Sequence, residues 1–254
     1  MSLPERGILA NRQSVGDRRG RAGASQPSGV EPTAAGASGL TLRGTLAEGA
    51  SRLGVPLAPP QLDRLMQFRA LLEKWNRVHN LTAVRGGPAV VVRHFLDSLA
   101  IVPALQRRSA MTPGRPLRVL DAGSGPGLPG IVVAIALPDA EVCCVEAVAK
   151  KAAFIRHAAA ELGLQNLRAE HARVETFQAG SFDVVVSRAF ASLANFVRLT
   201  RHQIAPAGAW LAMKGQHPGQ EVAALPPDVE VFHVEPVCVP GAAAARCLVW
   251  MRTR

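Results

Sequence analysis

One acid and a set of closely spaced glycines give this sequence its first chemistry. Leu117 to Leu120 form an apolar run, Asp121 follows, and Gly123, Gly125 and Gly127 then stand at alternate positions. A second apolar run, Ile131 to Leu137, comes soon after. That order predicts a buried strand, a tight turn and a helix start. Glycine reaches positive φ cheaply and lets a ligand lie against bare backbone. Free N–H groups at a helix start suit a polar or anionic ligand group. The dinucleotide fingerprint G-x-G-x-x-G is a near relative, but here the spacing is G-x-G-x-G and position 128 is Leu. Pro126 and Pro129 remove two N–H donors that a pyrophosphate would use. A nucleoside ligand without phosphates fits better, and S-adenosylmethionine is the common one. Gly123 and Gly125 are the candidate contacts. An ordinary Gly-rich strand-to-helix turn is the plain alternative.

Other candidates stand where predicted strands end. Glu146 closes the run Val142 to Val145, near the distance expected for an acid that binds ribose hydroxyls; a surface carboxylate is the alternative. Val174 and Glu175 follow the third strand, where a backbone N–H and a carboxylate could read an adenine edge. A helix-start acid facing the dipole is the other reading. Arg188, in Ser187-Arg188-Ala189-Phe190, could hold a cofactor carboxylate or an RNA phosphate through a bidentate pair. Lys214, before Gly215, is read as an RNA contact, with a solvated end-of-strand lysine as the alternative. Lys150 and Lys151 stand in the first turns of a helix, the wrong end for dipole support, and are further phosphate candidates. Arg93 and His94 are read as RNA contacts, although His94 could equally be a packed residue.

What is missing narrows the reaction. No N/D-P-P-Y/F/W stretch follows the fourth strand, as amino-group methylation of adenine would need, and no Pro-Cys stands there for a covalent route to a pyrimidine C5. A target with its own lone pair, such as guanine N7, needs no base. Attack on a sulfonium methyl can then be driven by positioning and electrostatics.

The elements that must hold these residues alternate. Strands are expected at 117–121, 141–146, 167–171, 182–187 and 208–213. Helices are expected near 128–137, from Val148 to Leu162 with Gly163 as its stop, and near 192–204. Two more strands, 229–239 and 246–252, are close in sequence and so antiparallel. Alternating β and α elements predict a mostly parallel sheet with helices on both faces, and ligands at the strands' carboxyl ends. Before this lies a helical cap, 46–112. Leu62, Leu65, Phe68, Leu72 and Trp75 recur at helical steps after Pro59-Pro60. A short helix is expected over 46–53 and another from Pro88 to Leu105. Residues 1–45, rich in Gly, Ser, Ala, Pro and Arg, read as a disordered basic tail. The catalytic domain is 113–254.

Composition sets the outer bounds. The 254 residues are enough for one good-sized α/β domain. No apolar stretch is expected to reach the roughly 18 to 20 residues of a membrane span, and no secretory signal is visible. Cys143, Cys144, Cys238 and Cys247 have no C-x-x-C spacing, which argues against a metal and for reduced, buried thiols in a cytoplasmic protein. The net charge of +10 favours an anionic partner such as nucleic acid. Arg (25) far outnumbers Lys (4), as a GC-rich genome alone would produce, so charge by itself decides little.

Taken together, Asn80-Leu81-Thr82, His94-Phe95-Leu96-Asp97-Ser98-Leu99, Asp121 to Ile131, Lys150-Lys151 with Phe154, Ser187-Arg188-Ala189-Phe190 and Lys214-Gly215 resemble the RsmG family, also called glucose-inhibited division protein B. They cover the chain from about 60 to 250, in the family's order. The resemblance implies a class I, seven-stranded methyltransferase fold. It implies S-adenosylmethionine-dependent methylation of a guanine N7 in 16S ribosomal RNA, free or in a small-subunit particle. By position it also implies cofactor contacts at Gly123, Leu128, Val174, Glu175 and Arg188. A non-catalytic nucleoside- or ribosome-binding module on the same fold is the alternative, and it predicts RNA binding with unchanged cofactor. A nicotinamide-linked oxidoreductase is disfavoured by the glycine spacing.

Overall fold

The computed structural model describes residues 34–178, 180–188, 190–215 and 218–254. Seven strands form a single sheet: β1 (Arg118–Ala122), β2 (Glu141–Glu146), β3 (Leu167–His171), β4 (Phe182–Ser187), β5 (Ile204–Lys214), β6 (Val229–Val237) and β7 (Arg246–Thr253). Their spatial order is β3-β2-β1-β4-β5-β7-β6. β1 pairs in parallel with both β2 and β4, and only β7, set between β5 and β6, runs against its neighbours. The strand order reverses between β1 and β4, so the crevice beyond their carboxyl ends is where an open α/β sheet takes its ligand.

The apolar runs that announced the strands are buried on both faces, as central parallel strands must be. Their side chains alternate between two cores. Val119, Val184, Val186 and Leu211 face the core shared with the N-terminal helices, whereas Leu120, Val185, Trp210 and Ala212 face the other. α6 (Gly130–Ala136) and α7 (Ala149–Glu161) follow β1 and β2; α8 (Leu193–Thr200) follows β4 and α9 (Gly219–Ala223) follows β5. α7 stops as expected at Gly163 (φ 63°), where Leu164 N–H returns to the Ala159 carbonyl. α8 ends earlier than its pattern suggested, because the chain tightens into a 3-10 turn over Arg201–Gln203.

The N-terminal helices share the sheet's core. α1 is Ala34–Arg52 and α2 is Pro59–His79. α1 begins well ahead of the expected boundary at 45, and Leu42, ahead of that boundary, packs against the core that buries Leu46 and Ala50. The rest of the proposed tail, 1–33, lies outside the described residues. α2 stacks Phe68 on Phe95 (5.4 Å) and on Phe154 (6.2 Å). Gln61 Nε2 donates to the carbonyls of Ile135 (2.9 Å) and Ala136 (3.2 Å), satisfying the open C-terminus of α6.

The second cap helix differs from the regular one expected. α3 (Gly87–Val90), a π-helical segment (Val91–Leu96), α4 (Asp97–Leu99) and α5 (Val102–Ala110) succeed one another. Together, Gly87–Ala110 is long and apolar enough to cross a membrane, contrary to expectation, but 72% of its most apolar window is buried in the protein, as befits a core helix. The π segment rotates the face that follows it, and Asp97 and Ser98 are buried there.

Candidate functional site

The glycine loop is pinned to β2. Gly123 N–H (2.9 Å) and Ser124 N–H (3.1 Å) both donate to the Val145 carbonyl. Gly123 and Gly125 have φ of 72° and 57°, and a Cβ at either would meet nothing within 4 Å. The two positions combine left-handed backbone with open space beside it, as a cradle for a ligand requires. Leu128, by contrast, is buried, and its N–H donates to the Ser124 carbonyl at 2.9 Å.

Glu146 ties two loops together. One carboxylate oxygen accepts from Gly125 N–H and the other from Val148 N–H, each at 2.8 Å. The acid at the end of β2 therefore sets the shape of the loop after β1. A carboxylate has lone pairs to spare for hydroxyl donors as well.

Asp121 lies under the loop and is missing from the expected contacts. Its Oδ2 accepts Gly130 N–H at 2.8 Å, while its Oδ1 is buried without a partner. Burial pushes its carboxyl up to about 7, with the Gly130 bond and the Arg188 charge pulling the other way. Its signal in the sequence was an acid at the end of an apolar strand. The open cradle and the unmet acceptor together fit a nucleoside ligand that carries a cationic group, as S-adenosylmethionine does.

Arg188, just past β4, is fixed from the cap. Its guanidinium donates to Asp97 Oδ2 and to the Arg93 carbonyl, each at 3.4 Å. Arg246 Nε, at the start of β7, donates to Asp97 Oδ1 at 2.8 Å. A buried acid thus stands between two arginines, one just past β4 and one at the start of β7. Asp97 stands in the stretch from His94 to Leu99 that resembles the family, with no role assigned to it there, and Arg246 is not among the sequence candidates. Asp97 carried a signal, a charge within an apolar run; Arg246 carried none.

His94 is internal, so a direct RNA contact gains no support from its placement. Its Nδ1 faces the Arg93 carbonyl at 3.1 Å, which fixes the proton there, and its Nε2 accepts from Thr82 Oγ1 at 2.9 Å. Burial, reinforced by the Arg188 charge, lowers it to about 4, so it is neutral near pH 7. Asn76 Oδ1 accepts Thr82 N–H at 2.9 Å, and Asn80 is the left-handed C-cap of α2. The Asn80-Leu81-Thr82 stretch therefore serves the cap's internal bonding.

The remaining residues are more scattered. Lys214 Nζ donates to both oxygens of Glu221 (2.7 and 3.1 Å), with its side chain only 15% exposed. Glu221 also accepts Leu193 N–H at 2.9 Å, so this lysine braces α8 and α9 rather than extending freely toward a phosphate. Val174 is buried in the turn after β3 and Glu175 is exposed, 3.7 Å from Arg173. Lys150 and Arg93 are exposed, and Lys151 is half-buried. Cys143, Cys144 and Cys247 are buried; Cys238, expected to be buried, is exposed because it lies beyond the end of β6. Among the described residues no group of three or more His, Cys, Asp or Glu side chains could hold a metal ion.

A family model described as "rRNA small subunit methyltransferase G" matches residues 61–249. The chain belongs to that family. Ribosomal RNA small subunit methyltransferase G of Acidovorax sp. is 54% identical over 222 residues, covering 85% of this chain and 97% of that protein. The protein of the same name from Leptothrix cholodnii is 53% identical over 212 residues, covering 84% and 96%. Similar solved structures include TrmN from Thermus thermophilus (TM-score 0.47, 20% identity, 65% of this chain and 53% of that one). A SAM-dependent methyltransferase from Aquifex aeolicus is another (TM-score 0.48, 14% identity, 65% and 92%). Family membership makes the chain a methyltransferase with S-adenosylmethionine as its cofactor, and the sheet is that of the class I enzymes.

Proposed function

We propose that this protein transfers a methyl group from S-adenosylmethionine to N7 of a guanine in 16S ribosomal RNA. The observation that carries the reading is the convergence of Glu146, the open Gly123–Gly125 backbone and the anchored Arg188 at one crevice, in a chain of this family. Bound there, the cofactor supplies an electrophilic methyl on a sulfonium. Gly123, Gly125 and Leu128 would line its floor. Glu146 would accept ribose hydroxyls, Val174 and Glu175 would meet the adenine edge, and Arg188 would hold the carboxylate. No side chain need remove a proton, since N7 brings its own lone pair; the protein's task is alignment and the exclusion of water.

On the RNA side, exposed Arg93 and Lys150 are suited to phosphates. His94 and Lys214 would act through what they hold: the Arg93 carbonyl and the α8–α9 wall. The substrate is either free RNA or a small-subunit particle, in the cytoplasm.

The test is transfer of tritiated methyl into 16S RNA from a strain lacking the gene, with chemical cleavage at the modified base. Label at one guanine N7 is the expected result. Cofactor binding without any transfer to RNA or particle would reject it in favour of a non-catalytic module.

A further inference from the structure

A second cationic surface lies at the pole opposite the cofactor loop. A cavity of about 660 Å³ opens where the first residues of β5, the last of β7 and the end of α5 meet. Its lining includes Arg107, Arg108 and Arg252, the first and last of which meet Glu235 and Glu230 at its edge. Two of the four exposed large apolar side chains among the described residues, Met111 (70%) and Phe232 (45%), stand in it, with Trp250 at its floor.

The charges there face outward. Arg107 pairs with Glu235 at 2.5 Å and Arg252 with Glu230 at 2.6 Å, yet the arginine side chains are 58% and 57% exposed against 28% and 33% for the acids. Arg108 bonds to the Ala207 carbonyl through one terminal nitrogen, while its buried Nε has no partner. The Arg252 guanidinium lies 5.1 Å from the centre of the Phe232 ring, and that ring in turn sits 6.1 Å from Trp250. A guanidinium stacked on an aromatic ring offers a further flat face to a base, and neighbouring arginines suit the phosphates.

We infer that this groove is a second RNA-binding surface, holding a single-stranded segment of the RNA substrate away from the reacting guanine. The inference rests on RNA being the substrate. Charge complementarity selects the occupant: a cationic rim over an aromatic floor, on a chain of net charge +10. From Ala209 to Lys214 the strand runs about 17 Å, so one large RNA can reach both the groove and the crevice.

The test is equilibrium binding of 16S RNA over a range of salt, with wild type, R107A/R252A and F232A. The wild type is also assayed for methyl transfer, so that RNA as substrate is judged separately. The double variant should bind RNA about tenfold more weakly, with a salt slope shallower by about 1.4, the share of two single-strand phosphate contacts. R107K/R252K should restore the slope. F232A should weaken binding several-fold with little change of slope. S-adenosylmethionine affinity should stay at its wild-type value, and the variants should unfold cooperatively with a small drop in melting temperature from the broken ion pairs. Crosslinks from thiouridine-labelled RNA should fall on the β6 and β7 peptides. Unchanged RNA affinity and slope in folded variants, beside an active wild type, would overturn the inference and leave the methyltransferase reading intact. A concentration-dependent dimer that F232A abolishes would overturn it in favour of self-association.

Discussion

Arg246 donates to Asp97 at 2.8 Å across 149 residues of sequence. Asp97 turns that contact into a clamp, because its other oxygen receives Arg188. Removing the acid leaves two arginines, 22% and 29% exposed, without their counter-charge, and breaking a buried pair in this way commonly costs about 3–5 kcal/mol. Asp97→Ala should therefore lower the melting temperature markedly. Asp97→Asn keeps the shape and weakens the hold on both arginines. It should raise the S-adenosylmethionine dissociation constant about tenfold by calorimetry, with modest thermal loss. Wild-type affinity in D97N would show that Arg188 needs no help from the cap.

Glu146 satisfies two backbone donors at once. In Glu146→Gln the amide nitrogen must face one of those N–H groups, donor against donor, and that loop must move. Cofactor affinity should fall at least tenfold and far-ultraviolet circular dichroism should not change. A calorimetric titration matching wild type would mean that the loop holds its shape without the carboxylate.

Asp121 links stability to pH. Its carboxyl stands near 7 in the folded chain because burial disfavours the charge, against 3.8 when exposed. The folded state thus binds the proton more tightly than the unfolded chain. The associated stabilisation is complete below about pH 4, declines as pH rises, and is gone above about 7. Asp121→Asn removes that titration. Urea unfolding of both proteins across this range should show wild type losing stability relative to the variant between about pH 4 and 7, and holding a constant difference beyond. A difference that does not change with pH would place the group at an ordinary carboxylate value.

Lys214 and Glu221 give a separable prediction. If the lysine acts by bracing α8 and α9, Lys214→Met and Glu221→Gln should each lower stability, by about 1–3 kcal/mol, and the double variant should lose less than the sum. RNA affinity should drop alike for both. An RNA defect confined to K214M, without loss of stability, would instead make the amine a direct phosphate contact.

Much of this arrangement was legible before the fold was known, for definite reasons. Val142 to Val145 and Val184 to Val186 read as strands because parallel strands covered on both faces are apolar throughout. Glu146 and Arg188 could be placed at the ligand edge because strand ends in such a sheet converge there. What escaped notice depends on distance or on backbone detail. No local pattern announces the π turn before Asp97, nor the meeting of Asp97 with Arg246. The partner of Lys214 sits on a helix of five residues, too short for periodicity to register. The tail's composition hid the start of α1, since helices gain most of their stability from packing that sequence propensity does not record.

The reversed direction of β7 gives synthesis an order. Running against its neighbours, it brings Arg246, close to the end of the chain, to the same edge as the glycine loop. Every other anchor of the crevice described above emerges earlier. During translation the parallel strands can pair while Asp97 still lacks its nearer counter-charge, so the pocket is finished only once β7 has been made. A chain ending before Arg246 would lack half of the arginine clamp and also all of β7, the buried strand that joins β5 to β6.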